Sequence, residues 1–138
     1  MILLDTDMLT LVFQGNTGVQ ERLRSAEESV ATTIITWMEI LQGRFDSIFK
    51  AADADQLQRA HRRLLDSESQ LRTLPINPID ESVAQQFEQL LRNKKLKKIG
   101  RGDLLIASFA VAKNATLAAR NLRDFQRIPG LKAVNWAD

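Results

Sequence analysis

Short apolar runs recur along this chain without polar alternation, and longer helical stretches separate them. The first is Ile2-Leu3-Leu4. Continuous apolar runs belong to strands buried on both faces, as in parallel sheets. Strands that alternate with helices are joined most simply by crossovers over such a sheet. The natural architecture is therefore α/β, with a central, mostly parallel sheet of four to five strands covered on both sides.

The punctuation fills in the segments. Asp7 reads as the N-cap of a helix from about 8 to 13. Gly15-Asn16-Thr17-Gly18 is a turn signal. Val19, Leu23 and Ala26 carry a second helix, and residues 29–33 are β-branched enough for a second strand. A helix follows from about residue 35, with Trp37, Ile40 and Leu41 as one apolar stripe and Thr36, Glu39 and Gly43 on another face. Residues 51–67 form a long amphipathic helix bearing Leu57, Ala60, Leu64 and Leu65, and residues 71–76 are a third strand candidate. Asp80 caps a helix with Val83, Phe87, Leu90 and Leu91 on one stripe. Gly100-Arg101-Gly102 reads as a flexible joint before a buried helix over 104–112. Residues 116–119 and 133–135 are the last strand candidates, with Pro129-Gly130 as a turn between them.

With 138 residues, 44% hydrophobic and 26% charged, the chain fits a single domain, 1–138, with one core. No apolar run approaches the ~20 residues that span a bilayer, so no membrane association is expected. There is no Cys and one His, which excludes disulfides, thiolate sites, Cys nucleophiles and multi-His zinc centres. The lack of Cys is compatible with a cytoplasmic location. Net charge is only +2, but Arg92, Lys94, Lys95, Lys97, Lys98 and Arg101 fall in one window without an acid. Such a patch favours phosphate backbones, although basic runs also serve simply to solvate a surface.

Four acids interrupt apolar segments: Asp5, Glu39, Asp103 and Asp124. In parallel α/β sheets, ligands bind outside the carboxyl ends of the strands. Asp5 lies at that edge after the first strand, Asp124 follows a later one, Asp103 sits near a helix start, and Glu39 joins from a helix. Converging carboxylates repel and raise one another's pKa values unless a cation binds them. An oxygen donor set of this kind suits Mg²⁺ or Mn²⁺, which assist phosphodiester hydrolysis without a His or Cys nucleophile. Each acid also has an ordinary structural use. Asp5 can end a strand, Asp103 and Asp124 can cap helices, and Arg44 or Arg120 can satisfy Glu39.

The ordered set Leu3-Leu4-Asp5-Thr6-Asp7, Thr36-Trp37-Met38-Glu39-Ile40-Leu41-Gln42-Gly43, Gly102-Asp103-Leu104-Leu105-Ile106-Ala107 and Arg120-Asn121-Leu122-Arg123-Asp124-Phe125 resembles the PIN-domain family. The tail from Arg127 through Trp136 is similar to its VapC-type toxin ribonucleases. The resemblance spans essentially the whole chain. It implies a flavodoxin-like three-layer α/β/α sandwich and a metal-dependent endoribonuclease using Mg²⁺ or Mn²⁺. It also implies a homodimer, held off as the toxin of a type II pair by a cognate antitoxin. Asp5, Glu39, Asp103 and Asp124 match the family's catalytic and metal-binding acids. Asp5 and Asp103 would be the firmest ligands, Asp124 would bind directly or through water, and Glu39 would hold metal or water. Arg101, Lys98, Lys97 and Arg120 are the RNA-binding candidates, with Arg101 nearest the metal.

Two positions depart from the family pattern. Asp7 replaces a common Asn and adds negative charge; Ala119 replaces a common Ser or Thr and removes a hydroxyl. The second departure motivates an alternative, a PIN-like nucleic-acid-binding or regulatory module with weakened turnover. A nuclease acting on other structured nucleic acids is a third reading. His61, among Arg59, Arg62 and Arg63, reads as a solvated helix face, and Trp37 and Trp136 as packing residues. The Leu57, Leu64 and Leu65 stripe reads mostly as core, with a share available to a dimer or antitoxin groove.

Overall fold

The computed structural model describes residues 1–137. The chain runs β1 (Ile2–Leu4), α1 (Thr6–Phe13), α2 (Thr17–Ser25), β2 (Val30–Thr33), α3 (Ile34–Phe49), α4 (Ala54–Leu71), β3 (Ile76–Asn77), α5 (Glu81–Arg92), a 3-10 turn (Lys94–Leu96), α6 (Arg101–Ala112), β4 (Thr116–Ala118), α7 (Leu122–Phe125) and β5 (Lys132–Val134). The five strands form one parallel sheet in the order β3-β2-β1-β4-β5. This is the expected three-layer α/β/α fold, all parallel. Its strand order is 3-2-1-4-5, rather than the 2-1-3-4-5 of flavodoxin itself.

Alternation along the strands sets the layers. Leu3 and Leu117 face a core built with Ile35, Val83, Leu90, Ile106 and Phe109, under α5 and α6. Leu4 and Ala118 face the opposite core with Met8, Leu9, Val19, Ile40, Leu41, Leu71 and Trp136, under α1, α2 and α4. The chain winds outward from β1 to β3 over this second face, then crosses back over the first to place β4 on the free side of β1. The order therefore switches between β1 and β4, where doubly wound sheets open a crevice at the strands' carboxyl ends. Register closes the crevice floor: Leu4 pairs with Ala118, and the Asp5 amide donates to the Ala118 carbonyl at 3.0 Å.

Several local expectations need correction. Asp5, not Asp7, is the N-cap of α1, and its Oδ1 accepts from the Met8 amide at 2.8 Å. The strand passes into the helix through this single residue. The predicted strand over 71–76 is mostly a turn: Leu71, a core residue, closes α4, an 18-residue helix capped by Asp53, and residues 72–74 turn the chain. β3 begins only at Ile76, because Pro75 has no amide to give a ladder and contributes its carbonyl, which accepts from the Thr32 amide at 3.0 Å. Gly100-Arg101-Gly102 is no joint: α6 starts at Arg101. Ile40 and Leu41 are buried, but Trp37 is exposed, as are Leu57 and Leu65 of the stripe read as core. Trp136 does pack in the core, at 7% exposure. His61 is exposed, as expected.

Candidate active site

All four predicted acids gather at the switch point. Asp5 leaves the end of β1 at 4% exposure, the most buried carboxylate of the set. Burial pushes its pKa up to about 7, with further upward pressure from Asp7, Asp103 and Glu39 against the Met8 amide bond. Asp103 occupies the first turn of α6, whose N-cap Gly100 gives no side-chain cap bond. A helix N-terminus favours negative charge. Even so, burial first, then Glu39, Asp124 and Asp7, raise the Asp103 pKa. Asp124, half-buried in α7, accepts a long 3.4 Å bond from Asn121 Nδ2. Five carboxylates thus share one field, and Asp7 adds to it as its sequence departure implied.

Glu39 is fixed by residues whose roles the sequence did not announce. Its Oε1 accepts from Thr6 Oγ1 at 2.6 Å, and Thr6 Oγ1 also lies 3.2 Å from Thr36 Oγ1. Neither arginine weighed as its partner takes that part: Arg44 Nε donates to Ser67 instead, and Arg120 is exposed. The first turn of α6 closes over Glu39 from the other side. A Cβ on Gly102 would fall 2.7 Å from Glu39 Oε2, closer than side chains tolerate. Gly102 is needed for this close approach, not for backbone freedom. Its signal in the sequence was a glycine directly before an acid at a helix start.

The cations divide into groups. Lys97 and Lys98 are exposed in the segment before α6, and Arg101 lies at its first residue, with its guanidinium 5.6 Å from the centre of the Phe87 ring. All three stand close in sequence to Asp103. Arg92 is engaged with Glu88 at 2.5 Å, and Arg127 Nη2 donates to the Lys95 carbonyl at 2.6 Å. Ala119 is fully buried in the core beneath α5 and α6.

Among the described residues no three His, Cys, Asp or Glu side chains are grouped so that they could hold a metal ion by themselves. An open set of hard oxygen donors, in which burial and neighbouring charge raise the pKa values of Asp5 and Asp103, instead matches an ion that keeps several waters and takes one or two carboxylates directly. Asp5 offers such an oxygen. Oδ1 is committed to Met8, and among the described residues no buried side-chain oxygen lacks a hydrogen-bond partner, so the unbonded Oδ2 reaches solvent at the rim.

This geometry has known counterparts. A 38-residue stretch, 28% of this chain and 28% of its relative, is 58% identical to ribonuclease VapC2 of Rickettsia felis. The tRNA(fMet)-specific endonuclease VapC of Shigella flexneri is 22% identical over 138 residues, 98% of this chain and 97% of that one. The crystal structure of VapBC2 from Rickettsia felis bound to a promoter DNA fragment superposes with a TM-score of 0.78 at 27% identity, covering 99% of both chains. A toxin–antitoxin complex from Klebsiella pneumoniae gives 0.64 at 26%, over 99% of this chain and 98% of that one. PIN-domain nucleases generally use divalent metal ions. Matched by the PIN domain family model over residues 2–131, with its acids assembled at the switch point of a parallel sheet, the chain belongs to the PIN-domain family.

Proposed function

We propose that this chain is a metal-dependent endoribonuclease that hydrolyses RNA phosphodiester bonds, and that it is the toxin of a type II toxin–antitoxin pair. The observation that carries the reading is the convergence of Asp5, Glu39, Asp103 and Asp124 at the β1–β4 crevice, with Asp7 beside them. The full-length resemblance to a VapC endonuclease supports the substrate class.

In this reading Asp5 and Asp103 would hold Mg²⁺ or Mn²⁺, with Asp124 assisting. The ion supplies Lewis acidity and neutralises charge on the phosphodiester. Glu39, aimed by Thr6, orients the attacking water and receives its proton. Arg101, Lys97, Lys98 and Arg120 draw the RNA backbone towards the rim. Water is the nucleophile, and no side chain is acylated or phosphorylated.

The partners follow from the same reading: an RNA substrate, a second copy of the chain and a cognate antitoxin, all in the cytoplasm. Among the described residues, no helix is long and apolar enough to cross a membrane. Trp37, Met38, Phe45, Phe49, Leu57 and Leu65 leave an exposed apolar surface on α3 and α4, and Phe49 is 88% exposed. Apolar surface of this extent marks protein contacts.

The test compares wild type with Asp5→Asn on matched RNA and DNA pools in Mg²⁺, Mn²⁺ and chelator. Asn preserves the cap of α1 while removing the charge. Metal-dependent RNA cleavage by wild type alone is expected. Equal cleavage by both proteins, or activity untouched by chelator, refutes the proposal. Preference for DNA would transfer it to another substrate class.

A further inference from the structure

A second polar pocket opens about one helical turn from the acid rim. It is a cavity of about 220 Å³ between α1, α3 and α4, lined in part by Thr10, Phe13 and Ile40. Thr10 is one turn beyond Thr6, and Arg44 lies five residues beyond Glu39, so the pocket stands roughly 6–8 Å from the rim along both helices. Arg44 and Arg63 both line it.

The arginines are arranged as though for an anion. Arg44 is half-buried, and Nε is tied to Oγ of the buried Ser67 at 2.9 Å, which fixes the guanidinium and leaves its outer nitrogens unengaged. Among the described residues neither Arg44 nor Arg63 joins an ion pair, whereas Arg24, Arg59 and Arg92 each do. Burial and the neighbouring Arg63 both act against the charge on Arg44. One carboxylate, Asp66, also lines the pocket without pairing to either. Two cations against one anion leave an excess positive charge beside the side chains of Ser67 and Gln70.

Position decides which anion. Lys97, Lys98 and Arg101 stand with α5 and α6 on one face of the sheet; Arg44 and Arg63 stand with α1, α3 and α4 on the other. The carboxylate rim lies between. A strand crossing that rim meets cations on both sides of the bond held there. We propose that the Arg44–Arg63 pocket is a phosphate subsite that holds the RNA backbone one or two nucleotides from the scissile bond. The inference rests on the ribonuclease reading and assigns that activity a second anchoring point. Bidentate guanidinium geometry suits a phosphodiester's two free oxygens.

Arg44→Gln, Arg44→Lys and Arg63→Gln test it, each in the full chain. Binding is read with a 20-nucleotide single strand in an Asp5→Asn background; cleavage is read in the active protein. Each Gln variant is expected to raise Kd roughly three- to tenfold. It also flattens the salt slope of log K by about 0.7 for the lost contact. Arg44→Lys keeps the slope and loses part of the affinity. The maximal rate at saturation, and cleavage of a dinucleotide that carries no phosphate beyond the scissile one, stay unchanged. Arg63 is exposed, so its variant folds regardless of what Arg44 does for packing. Unchanged Kd and salt slope in both Gln variants, with wild type active, overturn the subsite alone. So does indifference to RNA coupled with weakened inhibition by the antitoxin, which would give the pocket to a protein carboxylate. A wild type that neither binds nor cuts RNA removes the ribonuclease reading, and the subsite falls with it.

Discussion

Replacing Gly102 with Ala should make this protein more stable and less active at once. Gly102 lies in the first turn of α6 with ordinary helical backbone, where Ala is favoured over Gly by about 0.5–1 kcal/mol. For a chain of this length that raises Tm by roughly 2–5 °C. The new methyl, however, would start 2.7 Å from Glu39 Oε2. Ordinary contact requires the carboxylate to retreat by about 0.7 Å. Glu39 is an exposed, flexible side chain, so the retreat costs the fold little. The loss falls on its 2.6 Å bond from Thr6 and on its aim into the rim. Misplacing a reacting group by an ångström costs up to about a hundredfold in rate, so a ten- to hundredfold fall in RNA cleavage is expected. Thermal melts and initial rates on one preparation measure both. A variant with raised Tm and full activity would refute the reasoning, because the position of Glu39 would then not matter to turnover. A variant destabilised by more than ~2 kcal/mol would show that the methyl meets more than a movable carboxylate.

Metal-free stability should fall as pH rises from about 4 to above 7. Asp5 has an ordinary pKa of 3.8 unfolded and about 7 folded, so the native state binds the extra proton in that window. Up to roughly 4 kcal/mol is lost across it, and the raised Asp103 adds in the same direction. Urea titrations in chelator should show the decline, excess Mg²⁺ should flatten it, and Asp5→Asn should abolish most of it. A pH-independent midpoint would contradict the burial argument. Thr6→Val should lower the maximal rate with little change in Tm, and Thr6→Ser should restore it; equal rates for Val and Ser would remove Thr6 from the positioning of Glu39. Lys97→Gln combined with Lys98→Gln should weaken RNA binding at low salt and reduce the salt slope by about 0.7 per contact, measured by titration at several ionic strengths. An unchanged slope would assign these lysines to solvation.

The four acids were legible because each broke an apolar run, and breaking such a run is costly without a compensating purpose. The sheet was legible because its central strands are apolar on both faces. What escaped were features set by contacts distant in sequence. Thr6 reads as a helix residue until Glu39, 33 positions later, is seen to accept its proton. Gly102 reads as a hinge until its missing side chain is found to make room for that same carboxylate. Arg44 offered itself as a partner for Glu39, but its position on α3 directs it to Ser67 on α4. The error over residues 71–76 came from propensity, since Leu71 and Ile76 suit a strand; packing of Leu71 into the core extends the helix instead. The cap was misassigned to Asp7 because no loop was expected as short as the single residue Asp5.

β1 is made first and its neighbour β4 nearly last, with Ile2 paired to Thr116. At ~5–20 residues per second, many seconds of translation separate them. Until Thr116–Ala118 has emerged and slotted in beside β1, Asp124 has no place at the acid rim. A half-made chain on the ribosome therefore lacks the assembled acid rim. The hazard is switched on by the final long-range strand pairing, which allows time for a protective companion to be on hand.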